Sequence, residues 1–300
     1  MFQIQCTHLP LLYAGEQPNV SAHVGTNGKG VFMAKKQNFL VTAHRSLKEK
    51  PVVATVYIIL RFLVLGMMVA QFFNRNFENV FLCVLTLILF LLPTILEKQL
   101  QIDLPNALEI IILLFIFAAE ILGEISSYYT TFAYWDTMLH TLNGFLCAAI
   151  GFSLVDLCNR HKRISLSLSP IYMAIVAFCF SMTIGVLWEF FECAMDVFFF
   201  LDMQKDTVVN SISSVMLDPT GSQIPVAIHN ITDVIVVADG QEIPLGLGGY
   251  LDIGILDTMM DLFVNFVGAI VFSIVGYFYV KNRGSGRFAK SLIPQVLNKE

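Results

Sequence analysis

Carboxylates, one histidine and one asparagine recur at helical spacing inside strongly apolar runs of this chain. Glu120 and Glu124, Asp136 and His140, Glu192 and Asp196, and Asp257, Asp261 and Asn265 follow one another at four-residue intervals, and Glu189 precedes Glu192 by three. On an α-helix such residues stack on one face. An ionisable group inside a membrane span costs about 2.5–3.5 kcal/mol on insertion scales, so each needs compensation. Crowded carboxylates cannot all stay ionised in a low dielectric unless they share protons, hold a cation or meet water. Histidine and carboxylates without cysteine suit zinc, manganese, iron or magnesium rather than copper(I). A divalent metal on Asp136, His140, Glu189, Asp257 and Asp261 satisfies this composition, and so does a protonated or hydrated acidic pocket. If the site is catalytic, His140 is its ligand or general base, and Glu189 and Glu192 are its ligands or acids. Glu120, Glu124, Asp196 and Asn265 extend the polar wall.

These residues need helices to position them, and the composition supplies helices of one kind. With 56% hydrophobic and 14% charged residues, the chain falls far below the charge content of a soluble domain and into the membrane class. Six segments are long and apolar enough to span a bilayer, approximately 52–73, 79–96, 105–125, 134–157, 171–195 and 256–280. The expected fold is therefore an all-α polytopic membrane protein with about six transmembrane helices. Six cysteines are scattered singly, with no C-x-x-C, and read as small buried hydrophobes.

Lysine and arginine orient the spans. Six lie before Pro51, one at Lys98, three in residues 160–163 and five in the C-terminal tail, against only Arg75 and Lys205 in the opposite loops. By the positive-inside rule both termini are cytoplasmic. The expected organisation is a cytoplasmic segment 1–50, five spans over 51–201, an extracytoplasmic loop 202–250, a sixth span over 251–280 and a cytoplasmic tail 281–300. "MAKKQNFLV" at Met33 resembles a basic start before a first span, so translation is expected to begin either there or at the first residue. In the loop, Asp239-Gly240 between β-prone runs signals a hairpin. With this orientation every acidic cluster falls in the outer part of the membrane. Gly144, Gly151 and Gly268 permit close helix approach around it. Arg61 in the first span and Glu109 in the third are expected to form a structural ion pair on the inner side.

The ordered motifs "DTMLHTLNG", "WEFFE" and "DTMMDLFVNFVGA" resemble those of the YjdF-type bacterial inner-membrane proteins and, more distantly, the VanZ-like family. The resemblance covers residues 105–280. It implies a bacterial inner-membrane location and points to Asp136, His140, Glu189, Glu192, Asp257, Asp261, Asn265 and Gly268. Two functional classes stand open. One is a membrane-embedded enzyme, metal-dependent in its first form, acting on an envelope lipid or lipid-linked substrate. The other is a proton- or cation-binding transport or small-molecule-binding protein. One-sided polarity without an inverted repeat weighs against transport, and no nucleophile motif or H-E-x-x-H supports an enzyme. Membrane lipids are the expected partners. A nucleic-acid role is excluded, since no basic patch lies outside the positive-inside segments.

Overall fold

A computed structural model describes residues 50–100, 102–160, 168–282, 287–293 and 295–296. The expectations for segment 1–49, including a start at Met33, and for most of the tail lie outside the described residues. The chain is mostly helical. Helix α1 spans Pro51–Phe73, with Pro51 at its first position, where the missing N–H costs nothing. Helix α2, Phe77–Leu89, starts at Asn76, whose side chain caps the Asn79 N–H, and α3 follows over Leu92–Leu100. The break between them falls at Phe90-Leu91, ahead of Pro93, because a proline cannot donate to the carbonyl four residues back.

Helix α4, Asn106–Phe117, runs directly into a π-helical segment, Ala118–Ile125, whose wider turn closes with the Ser126 N–H donating to Ile121 O. Among the described residues five helices are long and apolar enough to cross a membrane: Pro51–Phe73, Phe77–Gln99, Trp135–Asp156, Pro170–Phe199 and Ile255–Lys281. The third expected span, 105–125, is helical throughout but built of these two pieces. After the single turn α5, Tyr128–Thr131, come α6, Trp135–Arg160, α7, Pro170–Phe199, and, beyond the loop, α8, Ile255–Lys281. At 1.5 Å per residue α7 is about 45 Å long, more than the ~30 Å hydrocarbon core, so it tilts or projects. It ends at Phe200 in the left-handed conformation.

The loop holds more β-structure than the single expected hairpin. Strands β2 (Val208–Val209) and β7 (Tyr250–Leu251) close its base. Strand β3 (Ser211–Ser214) pairs with β4 (Val226–His229), and β5 (Ile235–Ala238) with β6 (Gln241–Pro244). Asp239 and Gly240, which join β5 to β6, both have positive φ, at 52° and 75°. This is the geometry of a two-residue hairpin turn matched to strand twist. On the far side, β1 (Ile102–Asp103) pairs with β8 (Gln295–Val296) beside the short helix α9, Arg287–Leu292.

Helices α6, α7 and α8 form the tightest part of the molecule. Contacts of α6 with α8 rise together along both chains, from His140–Asp261 to Gly144–Asn265 to Phe152–Gly276, so these helices run parallel. Those with α7 run oppositely, from His140–Glu189 to Gly144–Ser181 to Asn159–Met173. The first residues of α6 and α8 therefore meet the last turns of α7 at one end.

The expected Arg61–Glu109 pair does not form. Arg61 folds one turn back along α1, with its guanidinium 4.3 Å from the Tyr57 ring centroid, and its buried Nε has no partner. Glu109 is taken instead by Lys50, whose Nζ lies 3.2 Å from Glu109, 2.7 Å from Glu97 and 3.0 Å from Asp103. Lys50, the residue ahead of α1, reaches all three acids while keeping its ammonium near the membrane edge, whereas Arg61 lies ten residues further in. Burial opposes the charge on Lys50. Hydrogen bonds to Glu97 and Asp103 and the charges of Glu109 and Glu97 outweigh it and hold its pKa well above the usual lysine value. A raised lysine pKa contributes stability that is whole below the unfolded value near 10.5 and fades as pH rises through the folded one. Lys50→Met is therefore expected to lower stability by about 1–3 kcal/mol at neutral pH, by leaving carboxylates without their cation. Thermal unfolding in detergent checks this, and the deficit should shrink only in strong alkali.

Candidate functional site

The site begins with backbone geometry. Ser181 Oγ donates to Gly144 O across 2.7 Å, tying α7 to α6. A Cβ on Gly144 would collide with Asn265 O, and one on Gly268 with Thr141 O. Only hydrogen at both positions lets α6 and α8 touch backbone to backbone. Gly185 on α7 closes the third side, since a Cβ there would sit 2.7 Å from Asn265 Nδ2. Asn265, 1% exposed, is the hub: its Oδ1 accepts from Asn143 Nδ2 at 3.4 Å and its Nδ2 faces Met182 Sδ at 3.6 Å.

One turn outward the clamp holds the chemistry. His140 Nε2 lies 3.5 Å from Asp136 Oδ1 and 3.9 Å from Asp261 Oδ2, while Nδ1 lies 3.7 Å from Glu189 Oε1. Asp136, His140 and Asp261 each offer one ligand atom, all within 4.8 Å of one another. A tetrahedral ion with bonds of 2.0–2.2 Å separates its ligand atoms by about 3.4 Å, so this triple needs only a small contraction to hold one. Asp261 and Glu189 side chains are 4% and 5% exposed, whereas that of Asp136 is 33% exposed and forms the open edge. Glu189 Oε2 is buried without a hydrogen-bond partner. A carboxylate on the second ring nitrogen is the usual outer partner of a metal-bound histidine, fixing its tautomer and orientation.

Other sequence-predicted residues take different places. Glu192 is buried and its Oε1 accepts from Trp188 Nε1 at 2.8 Å. Asp257 stands outside the triple, with Oδ2 accepting from the Lys205 N–H at 2.7 Å, although its charge still acts on Glu189 and Asp261. Asp196 does not join the cluster as expected. Its two oxygens accept the Met203 and Gln204 N–H groups at 2.7 and 2.8 Å, closing the chain end left by α7. Glu120 and Glu124 lie on the π-helical segment, where the wider turn replaces the four-residue stacking expected of them.

Two residues escaped the sequence reading because 126–131 reads as a polar turn. Tyr129 packs its ring on Gly123 and lies among the charges of Asp136, Glu124, Glu120 and Glu192. Burial, and then those four carboxylates, push its hydroxyl well above the usual tyrosine pKa, so it stays a proton donor. Trp135, with its Nε1 buried and unpartnered, stacks edge-on against Tyr128 at 4.8 Å. The run of rings from Tyr128 to Trp135 is the signal that could have marked both.

Long apolar helices around a buried Asp–His–Asp cluster define a polytopic α-helical membrane protein. The chain belongs to the DUF2238 family, described as predicted membrane protein, whose sequence profile matches residues 55–282. Comparisons with curated proteins and with solved structures yield no match.

Proposed function

We propose that this chain is a YjdF-type inner-membrane protein whose Asp136, His140 and Asp261 hold a divalent cation, and that the cation acts on an envelope lipid or lipid-linked substrate. The observation that carries the reading is the triple itself, three ligand atoms within 4.8 Å of one another on two parallel helices. The buried, unpartnered oxygen of Glu189 behind His140 supports it. Carboxylate and imidazole around one open edge suit zinc or manganese. A cation there would polarise a phosphate or ester oxygen entering past Asp136. His140 is then ligand rather than base, and Glu189 orients it.

The proposed topology has six spans, counting 106–125, with both termini cytoplasmic and residues 202–250 outside, on the strength of the lysine and arginine distribution. The site then opens to the outer face. Asp136 and Asp261 also face each other closely enough for a side-chain hydrogen bond, which favours, as the second reading, a shared proton in place of the cation. Metal analysis of the detergent-purified chain separates the two. Close to one equivalent in the wild type, lost in His140→Ala with the melting temperature kept, is the expected result. A chain that carries no metal and takes up none from added zinc, manganese or magnesium would leave the shared proton.

A further inference from the structure

Beside the cation site, α6 and α8 leave an open groove of about 480 Å³, lined among others by Tyr134, Thr137, Met138, Thr141, Phe145 and Val271. It is almost wholly apolar in character. The Thr141 hydroxyl is spent on Thr137 O of its own helix, 2.7 Å away, so it offers no hydrogen bond to an occupant. From Tyr134 to Phe145 the groove runs about 16 Å at 1.5 Å per residue, close to half of the ~30 Å hydrocarbon core. That is the depth of one leaflet. Its mouth, at Tyr134, joins the ring cluster in which Tyr128 lies 4.7 Å from Phe132 and 4.8 Å from Trp135. Such rings mark the headgroup level of a bilayer. Asp136, the exposed edge of the cation site, lies in sequence between Trp135 and Thr137, so polar site and groove share one rim.

We infer that the site and the groove together bind one phosphate-bearing membrane lipid, its acyl chain along Met138, Phe145 and Val271 and its headgroup at the Asp136 edge. The inference rests on the cation reading for the headgroup, because a cluster of carboxylates without a cation would repel a phosphate. It rests on the groove alone for the chain. A protein partner would gain only hydrophobic contact there, whereas an acyl chain matches the groove in length, polarity and position beside an anion-binding rim.

The test uses the full chain in phosphatidylcholine vesicles doped with phosphatidylglycerol bearing a diazirine at the acyl terminus. A diacylglycerol with the same diazirine serves as the phosphate-free probe. Labelled peptides are mapped after irradiation, and metal is measured in the same sample. Labelling by the phosphatidylglycerol probe is expected to favour Met138, Phe145 and Val271 over the equally exposed Phe263 and Ile274 by about tenfold, equivalent to roughly 1.4 kcal/mol of preference. Val271→Trp, at an exposed position, should abolish the preference and keep the metal. Even labelling of all lipid-facing residues, or equal labelling by the phosphate-free probe, overturns the inference while a bound metal leaves the cation reading standing. Protection of the groove residues, with Val271→Cys giving a disulfide-linked dimer, overturns it in favour of a second copy of the chain. Phosphate-dependent enrichment in a metal-free protein keeps the lipid site and removes only the cation.

Discussion

Asp261→Asn is expected to weaken divalent-cation binding by more than the roughly 10–100-fold that loss of an outer-shell partner causes. Asparagine keeps the size of the side chain and removes its charge, so the clamp around Asn265 persists while one of three ligands loses its anion. Glu189→Gln should fall within that 10–100-fold range, because Glu189 meets His140 at Nδ1, on the side of the ring away from Asp136 and Asp261. Asp257→Asn should leave affinity nearly unchanged, since its Oδ2 is already engaged by the Lys205 N–H. Competition against a chromogenic chelator gives all three affinities on the solubilised protein. A loss as large at Asp257 as at Asp261 would show that the acids act only as a diffuse negative field, and the triple would have no special standing.

Gly268→Leu is the change expected to do most damage to the fold. A Cβ at this position meets the Thr141 carbonyl, which belongs to the backbone of α6 and cannot swing aside. Overpacking of this sort costs about 1–3 kcal/mol in ordinary cores, and more where backbone must move. Separation of α6 from α8 would also draw Asp261 away from His140, so metal and stability should fall together. Gly66→Leu is the matched control, because a Cβ there meets nothing within 4 Å. Monodisperse yield and melting temperature are the readouts. A Gly268→Leu protein as stable as Gly66→Leu would mean that α6 and α8 do not approach as closely as described.

Much was legible without a structure because two signals in this chain are local. Length and apolarity of a run identify a span, so five helices lie where the hydropathy of the chain places them, within a few residues. Helical periodicity also states which polar residues share a face. Asp136 with His140, and Asp261 with Asn265, were legible for that reason, and the Asp-Gly pair at 239–240 marked its turn because both positions demand positive φ. The break before Pro93 was likewise implied by the missing N–H of proline.

What periodicity cannot state is which faces turn toward one another, and how far along. Asp196 and Asp257 have the same spacing credentials as Asp136 and Asp261, yet backbone N–H groups of residues 203–205 claim them. The competition was decided by where the chain returns after α7, a property of the loop. Arg61 and Glu109 have comparable depths, but Lys50 reaches Glu109 from outside the span, so the ion pair went to the residue with the shorter path to all three acids. By itself the sequence determined a membrane protein of long apolar helices with its acids at helix ends. Only the tertiary structure decided which of those acids face His140, because the backbone contacts at Gly144 and Gly268 set the register of α6 on α8 and bring Asp136 and Asp261 to the same ring nitrogen.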